Sequence, residues 1–183
     1  MSMENYKKVL KLAKYLNIYL IQYTGNEPLL YPQVFDFAKE SRNKGFKNRS
    51  RTNFATKILS EKFLIDILKY FEFIYISPDE LAEDNFYLRL SKIFMDIKNN
   101  NPEEAEKCFA KYASENFNII TTNITNLIAV RNKLRYNNKI IIVLVIQKYN
   151  LDKIVELVDF INQYKNIRWD ITQVSLDKMN QMV

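Results

Sequence analysis

Turn residues and polar residues follow four successive predicted strands of this 183-residue chain, and together they could hold a small polar ligand. They are Gly25, Asn26, Glu27 and Pro28, then Thr52 and Asn53, then Ser77 and Asp79, and finally Asn150. Carboxylate, hydroxyl and amide groups supply the hydrogen-bond donors and acceptors that such a ligand needs. The same residue types are also ordinary turn and helix-capping residues, so spacing leaves both interpretations open.

Composition excludes several catalytic classes. The chain has no histidine, which removes the Ser-His-Asp triad, the Cys-His dyad and nearly every zinc or non-haem iron site. The single cysteine, Cys108, cannot form an internal disulfide or hold a four-iron cluster with this chain's own thiolates. Two glycines cannot build a dinucleotide-binding fingerprint or a P-loop. We therefore predict no catalytic residue and no metal ligand in this chain.

The densest basic segment lies between positions 39 and 51, in a chain of net charge +6. Its candidate contacts for an anion or a partner are Arg42, Lys44, Lys47, Arg49 and Arg51. These cations could position phosphates or an acidic peptide. Alternatively, they form a solvated helix end and loop, where cations suit the helix C-terminus. The charge is compatible with a nucleic-acid partner but does not require one.

β-branched or aromatic runs alternate with amphipathic helices along the chain, and these elements must position the polar residues. We predict helices near 4–16, 32–44, 58–68, 79–99, from 101 onward, 122–134 and 151–161, and strands near 18–23, 73–76, 140–146 and 167–174. This alternation is typical of a parallel sheet covered by helices, here in one domain over residues 1–183. Residues 48–51 are polar, which predicts an edge or irregular strand, because buried parallel strands are apolar.

The chain shows no sequence signature of membrane insertion or secretion. No apolar run reaches the roughly 18 to 20 residues of a transmembrane helix, and the first residues lack the apolar region of a signal peptide. We therefore expect a cytoplasmic protein that does not associate with membranes.

Four sequence blocks, in order, resemble the radical SAM superfamily, whose core is a partial (β/α)6 barrel. They are TGNEPLLYP, TNFATKILSEKF, FIYISPDE and KIIIVLVIQKYNLDKIVELVDFINQYKNIRW. The family has Gly-Gly-Glu-Pro, Thr-Asn-Gly, Ser-x-Asp and Tyr-Asn-Leu motifs at these places. The resemblance implies an incomplete (β/α)6 radical SAM-like barrel, with mostly parallel strands and outer helices.

The resemblance also implies S-adenosylmethionine as a cofactor, held by the polar residues that follow the strands. Glu27 would contact the amino group of its methionine half, because a fixed carboxylate is an acceptor for an ammonium. Ser77 and Asp79 would face the ribose and carboxylate. The alternatives are a solvated turn residue for Glu27, and helix caps for Ser77, Asp79 and Asn150.

The chain departs from the family pattern at the cluster loop. It has no Cys-x-x-x-Cys-x-x-Cys segment, so it corresponds to a core without its first strand, and a [4Fe-4S] cluster would need cysteines from outside this chain. Asn26 replaces the second glycine of the first motif, and Phe54 replaces the glycine of Thr-Asn-Gly. We therefore expect no reductive cleavage of S-adenosylmethionine by this chain alone.

Three hypotheses remain open for the function. The first is a radical SAM enzyme fragment, acting on a peptide or small molecule when completed by another chain. The second is a degenerate, cluster-free binding or regulatory partner, and the third is a basic nucleic-acid-associated module. A barrel without its first strand would expose a sheet edge, which predicts a cluster-bearing partner chain or a dimer covering it.

Overall fold

The computed structural model describes residues 1–25, 27–78, 101–146 and 151–173. Its helices are α1 (Met3–Tyr15), α2 (Val34–Asn43), α3 (Glu61–Tyr70), α4 (Pro102–Lys133) and α5 (Leu151–Asn162), with a 3-10 turn at Pro28–Leu30. Its strands are β1 (Leu20–Tyr23), β2 (Lys47–Thr52), β3 (Phe73–Ile76), β4 (Lys139–Ile146) and β5 (Ile167–Gln173). The helix predicted over residues 79–99 lies outside the described residues.

The five strands form one parallel sheet in the order β1-β2-β3-β4-β5. Their parallel direction follows from the alternation of strands and helices, because each helical connection returns the chain to start the next strand in the same direction. The predicted α/β class with a mostly parallel sheet is confirmed, and the arrangement is consistent with a partial radical SAM-like barrel. Among the helices of the described ranges, none is long and apolar enough to cross a bilayer.

The chain divides into two compact units. The first contains residues 1–52, 59–76 and 123–141, and the second contains residues 53–58 together with the described parts of 77–122 and 142–183. The single domain over residues 1–183 therefore stays a prediction. The first unit contains α1, α2, α3 and β1 to β3.

Helical spacing of apolar residues builds the core of the first unit. α1 begins after Ser2, whose side chain accepts a hydrogen bond from the Asn5 amide at 3.2 Å, and it buries Tyr6, Leu10 and Ala13. These residues pack with Phe37 of α2 and Phe46, which precedes β2. The core thus fixes α1 and α2 on the same side of the first strands.

β2 was predicted to be an edge strand or an irregular strand, and the structure shows neither. It is a regular six-residue strand between β1 and β3, parallel to both, with Ile21 opposite Asn48 and Ser50 opposite Ile74. Asn48, Ser50 and Thr52 are buried on one face. The prediction was wrong because it assumed that a central strand needs apolar side chains, whereas α2 and α3 supply hydrogen-bond partners to Asn48.

Asn48 shows how a polar side chain is accommodated in a central strand. Its amide nitrogen donates to the carbonyl oxygens of Ala38 and Tyr70 at 2.7 and 2.8 Å, and its Oδ1 accepts from Ser41 Oγ at 2.6 Å. The Asn48 backbone N–H donates to Glu72 Oε2 at 2.7 Å. Because the buried amide has these partners, its burial does not carry the cost of an unpaired polar group.

α4 is longer than predicted. The sequence predicted one helix beginning near residue 101 and another over 122–134, whereas Pro102–Lys133 is one continuous helix of 32 residues. No glycine or proline interrupts residues 103–133, so the chain contains no strong helix breaker between the two predicted segments. Proline at the first helical position is compatible with the start of α4.

Candidate functional site

Glu27 and Thr52 bring together the carboxyl ends of β1 and β2. Thr52 Oγ1 donates a hydrogen bond to Glu27 Oε2 at 2.7 Å, and the Leu29 amide donates to Glu27 Oε1 at 3.1 Å. The second contact caps the 3-10 turn, in which Pro28 occupies the first position. Glu27 is half-buried, and its carboxylate is held in one orientation by a neighbouring strand. Two residues from separate predicted motifs are therefore in direct contact.

Gly25 makes the turn that carries the chain from β1 toward Glu27. Its φ angle is +139°, in a region that residues with a side chain rarely adopt. A Cβ atom built at Gly25 would have no atom within 4 Å, so backbone conformation rather than space favours glycine here. Asn26, the next predicted site residue, lies outside the described residues.

The turn after β2 contains the two other residues of the Thr-Asn-Phe block. Asn53 is buried, and its Oδ1 accepts a hydrogen bond from the Ala55 amide at 3.0 Å. Phe54 is also buried, at 2% relative exposure, and its backbone is left-handed, with a φ angle of +57°. Left-handed backbone at a residue other than glycine costs roughly 1–2 kcal/mol. Phe54 thus has a glycine-like backbone conformation at the position where the family motif has glycine.

The third block places Ser77 directly after β3, in the second unit of the chain. Ser77 is 1% exposed, and Pro78 after it is also buried. Asp79 and Asn150, the remaining predicted site residues, lie outside the described residues. The structure therefore brings Glu27 and Thr52 into contact, and it leaves the grouping of the complete predicted set a prediction.

The basic segment is divided by the structure into two groups. Arg42 is paired with Glu72, with Nε 3.2 Å from Oε1, and it also donates to the Lys69 carbonyl oxygen. Lys44 is exposed at the C-terminal cap of α2. Lys47, Arg49 and Arg51 instead lie on β2, on the face opposite Asn48, because side chains alternate along a strand.

Arg49 lies over an aromatic ring. Its guanidinium carbon lies 4.9 Å from the centroid of the Tyr75 ring. Phe73 is directly opposite Arg49, and Tyr75 lies two residues further along β3, on the same face. The Arg49 side chain therefore extends toward the carboxyl ends of the strands, where Glu27 and Thr52 also lie.

A chain of hydroxyl groups, which was not predicted from the sequence, joins α1, β1 and α2. The Tyr6 and Tyr23 oxygens are 2.6 Å apart, and Tyr23 Oη is 3.0 Å from Ser41 Oγ, which in turn contacts Asn48. Burial raises the pKa of both tyrosines above the ordinary value of 10.0. Strand alternation could have placed Tyr23 on the helix-covered face, but it could not have identified its partners.

The donor set of this chain does not fit a [4Fe-4S] cluster. The sequence contains one cysteine, Cys108, which lies on α4, whereas the cluster is held by several thiolates. Within the residues that the structure describes, no group of three or more His, Cys, Asp or Glu side chains is placed to hold a metal ion. Glu27, in contrast, is a fixed carboxylate of the kind that suits an ammonium group.

No family model and no curated protein matches the chain. Among solved structures, it is similar to a structure of TYW1 with a lysine-pyruvate adduct bound, and TYW1 is a radical SAM enzyme. The TM-score is 0.50 at 16% sequence identity, over 93% of this chain and 53% of that chain. The chain therefore spans about half the length of that structure. This likeness shows the fold alone.

Proposed function

We propose that this chain is a radical SAM-like protein that binds S-adenosylmethionine at the carboxyl ends of its strands. Glu27 accepts the ammonium of the methionine half. The observation that carries this proposal is the 2.7 Å hydrogen bond from Thr52 to Glu27, which joins two motifs that the resemblance assigns to one cofactor site. Gly25, Asn26, Pro28, Asn53, Ser77, Asp79 and Asn150 are the other proposed contacts, by resemblance.

Preorganisation of Glu27 supports this role. The Thr52 hydroxyl and the Leu29 amide fix both carboxylate oxygens, so binding an ammonium requires little further ordering of the side chain. A charge-assisted hydrogen bond of this type contributes about 1.5–3 kcal/mol. The loss of this one interaction should therefore be measurable as at least a tenfold change in affinity.

The proposed activity of the chain is binding without cleavage. In the intact family, the cofactors supply the reductive cleavage chemistry while the protein binds and orients them. One cysteine and no histidine do not fit the cluster, so the cluster cysteines would come from another chain. In this role the chain is an incomplete enzyme core, and it supplies the part of the site that binds the methionine half of S-adenosylmethionine.

Calorimetric titration with S-adenosylmethionine tests the proposal. We expect Glu27→Gln to weaken binding at least tenfold, because the amide keeps similar geometry but loses the charge that attracts the ammonium. The matched control is Glu61→Gln, which removes one charge from an exposed residue of α3. Affinity for 5′-methylthioadenosine, which lacks the amino-acid group, should be the same in all three proteins.

Two results would contradict the proposal. One is the absence of any binding heat from wild-type protein that circular dichroism shows to be folded. The other is an equal loss of affinity in Glu27→Gln and Glu61→Gln, because a general charge effect does not need the Glu27 contact.

A partner chain beside β1 is part of the same proposal. Within the described residues, β1 has one neighbour in the sheet, β2. The surface formed by α1 and the approach to β1 exposes large apolar side chains, among them Leu12 at 57%, Tyr15 at 83%, Leu16 at 56% and Tyr19 at 72%. Sheet edges and contiguous apolar surfaces of this kind are typical interaction sites.

Charge favours a different chain over a second copy at this surface. Lys7, Lys11 and Lys14 are exposed on α1, where Lys8 is paired with Glu4, and a second copy would bring the like charges of these three lysines together. We therefore propose a partner whose apolar segment is flanked by acidic residues and which carries the cluster cysteines. This assignment depends on the proposed S-adenosylmethionine site.

Photo-crosslinking in the native cell tests the partner proposal, with the crosslinking residue in place of Tyr15 and, as a control, of Tyr136. The expected product from position 15 contains a chain with three closely spaced cysteines. A product containing a second copy, or a chain without those cysteines, would contradict the assignment, as would the absence of any product specific to position 15.

A further inference from the structure

One face of the first strands is cationic. Asn48 contacts the carbonyl oxygens of Ala38 and Tyr70, so its side of β2 faces the helices. Lys47, Arg49 and Arg51 alternate with it and lie on the opposite side. The parallel register places Gln22, Phe73 and Tyr75 on that same side. We call this surface, formed by residues 22, 47, 49, 51, 73 and 75 with the neighbouring Lys139, the cationic face.

Two of the cations on this face, Arg49 and Lys139, are ordered by aromatic rings. Arg49 lies over Tyr75 at 4.9 Å from the ring centroid, and Lys139 Nζ is 5.8 Å from the centroid of Phe73. A cation over a ring is attracted by the ring quadrupole and keeps its N–H groups as donors at its edge. The rings therefore position these side chains without neutralising their charge.

Arg42 shows how a cation of this unit is neutralised by a carboxylate, and Lys47, Arg49 and Lys139 differ from it within the described residues. Arg42 is paired with Glu72, and it also donates to the Lys69 carbonyl oxygen. Within the described part of the chain, no ion pair involves Lys47, Arg49 or Lys139. Three like charges kept together without a carboxylate raise the local positive potential, which is the arrangement of an anion-binding surface.

The spacing of these cations indicates the type of anion. Alternate residues of a parallel strand are about 6.6 Å apart, so the row from Lys47 to Arg51 is about 13 Å long. A planar guanidinium binds two oxygens of one phosphoryl group, and an ammonium binds as a point charge. This short row suits a compact ligand with adjacent phosphoryl groups better than a long polymer, which needs many phosphate contacts.

We propose that the cationic face binds a small ligand carrying two or more phosphoryl groups, with Arg49 as its central contact and Lys47 and Lys139 beside it. Glu27 and Thr52 do not belong to this surface, so the inference goes beyond the S-adenosylmethionine proposal and stands without it. The ligand class follows from the positive charge, the spacing along β2 and the prepositioned guanidinium.

Calorimetric titration with inorganic tripolyphosphate tests this inference, with orthophosphate as the single-phosphoryl probe. We expect tripolyphosphate to bind at least tenfold more tightly than orthophosphate, because it spans more than one cation. Arg49→Gln should weaken tripolyphosphate binding about tenfold, and Arg49→Lys should weaken it less, since the charge remains but the planar fork is lost. The control, Lys39→Gln on the exposed surface of α2, should change affinity less than twofold.

Several results would overturn the inference. They are the absence of tripolyphosphate binding to folded protein, an equal effect of Arg49→Gln and Lys39→Gln, and tight binding of a single-stranded oligonucleotide without binding of tripolyphosphate. S-adenosylmethionine titration of Arg49→Gln separates the two proposals, because its affinity should equal that of the wild type whether or not the cationic face binds phosphate.

Discussion

Replacement of Asn48 by alanine should strongly destabilise the protein, because this residue joins a central strand to two helices. Its amide group makes three hydrogen bonds, to the carbonyl oxygens of Ala38 and Tyr70 and to Ser41 Oγ, all between 2.6 and 2.8 Å. Asn48 is 0% exposed, so water does not replace these partners without local opening. Asn48→Ala therefore leaves buried polar groups with fewer hydrogen bonds.

The magnitude follows from the number of hydrogen bonds. A net contribution of about 1 kcal/mol for each gives a loss of about 3 kcal/mol in the free energy of unfolding. For a chain of this size that corresponds to a fall in melting temperature of about 6–12 °C. The effect is large compared with the total stability of about 5–15 kcal/mol that is typical of a protein.

Urea denaturation followed by circular dichroism measures this loss, with Asn118→Ala as the control. Asn118 is exposed on α4, so its replacement should change stability by less than about 0.7 kcal/mol, in the direction that alanine's helix propensity gives. A loss below about 1 kcal/mol in Asn48→Ala, with an unchanged m-value, would refute the reasoning that helix carbonyls stabilise the polar strand.

Three further predictions concern the free energy of unfolding and can be tested by the same urea denaturation. Burial raises the pKa values of Tyr6 and Tyr23, so the unfolded state loses these protons first and stability should fall as the pH rises above about 10. In Tyr23→Phe this fall should be shallower, and equal slopes for the two proteins would argue against a buried tyrosine pair. At Phe54, with its φ of +57°, glycine should give a more stable variant than alanine by about 1 kcal/mol, although both lose the buried ring; a more stable alanine variant would contradict the backbone argument. Gly25→Ala should cost about 1 kcal/mol from its φ of +139°, and an unchanged urea midpoint would show that the turn adapts.

The alternation of strands and helices could be predicted from local patterns, and the sheet confirms it. β2 was assigned wrongly because its buried Asn48 is stabilised by Ser41, Ala38 and Tyr70, whose contacts with it depend on how α2 and α3 pack against the strand. Hydrophobic periodicity contains no information about such partners. The placement of Lys47, Arg49 and Arg51 on one face of β2, in contrast, could have been predicted, because these cations occupy alternate positions in the sequence.

The candidate site was predicted in part by its position at the ends of the strands. Parallel strands bring their carboxyl ends to one edge of the sheet, and this rule accounts for the contact of Glu27 with Thr52. The hydrogen bond itself could not be predicted, because it depends on the turn at Gly25 and on the 3-10 turn after Glu27. Tertiary geometry, rather than residue type, determines whether such a carboxylate is fixed or solvated.

Amide chemical-shift mapping with S-adenosylmethionine tests the central claim most directly, because it shows where the ligand binds. The largest shifts should occur at the Leu29 amide, which donates to Glu27, and at Gly25 and Thr52. Saturable shifts at these amides, lost in Glu27→Gln, are the predicted result. Unchanged shifts at all three positions, or saturable shifts confined to other elements, would contradict the proposed cofactor site.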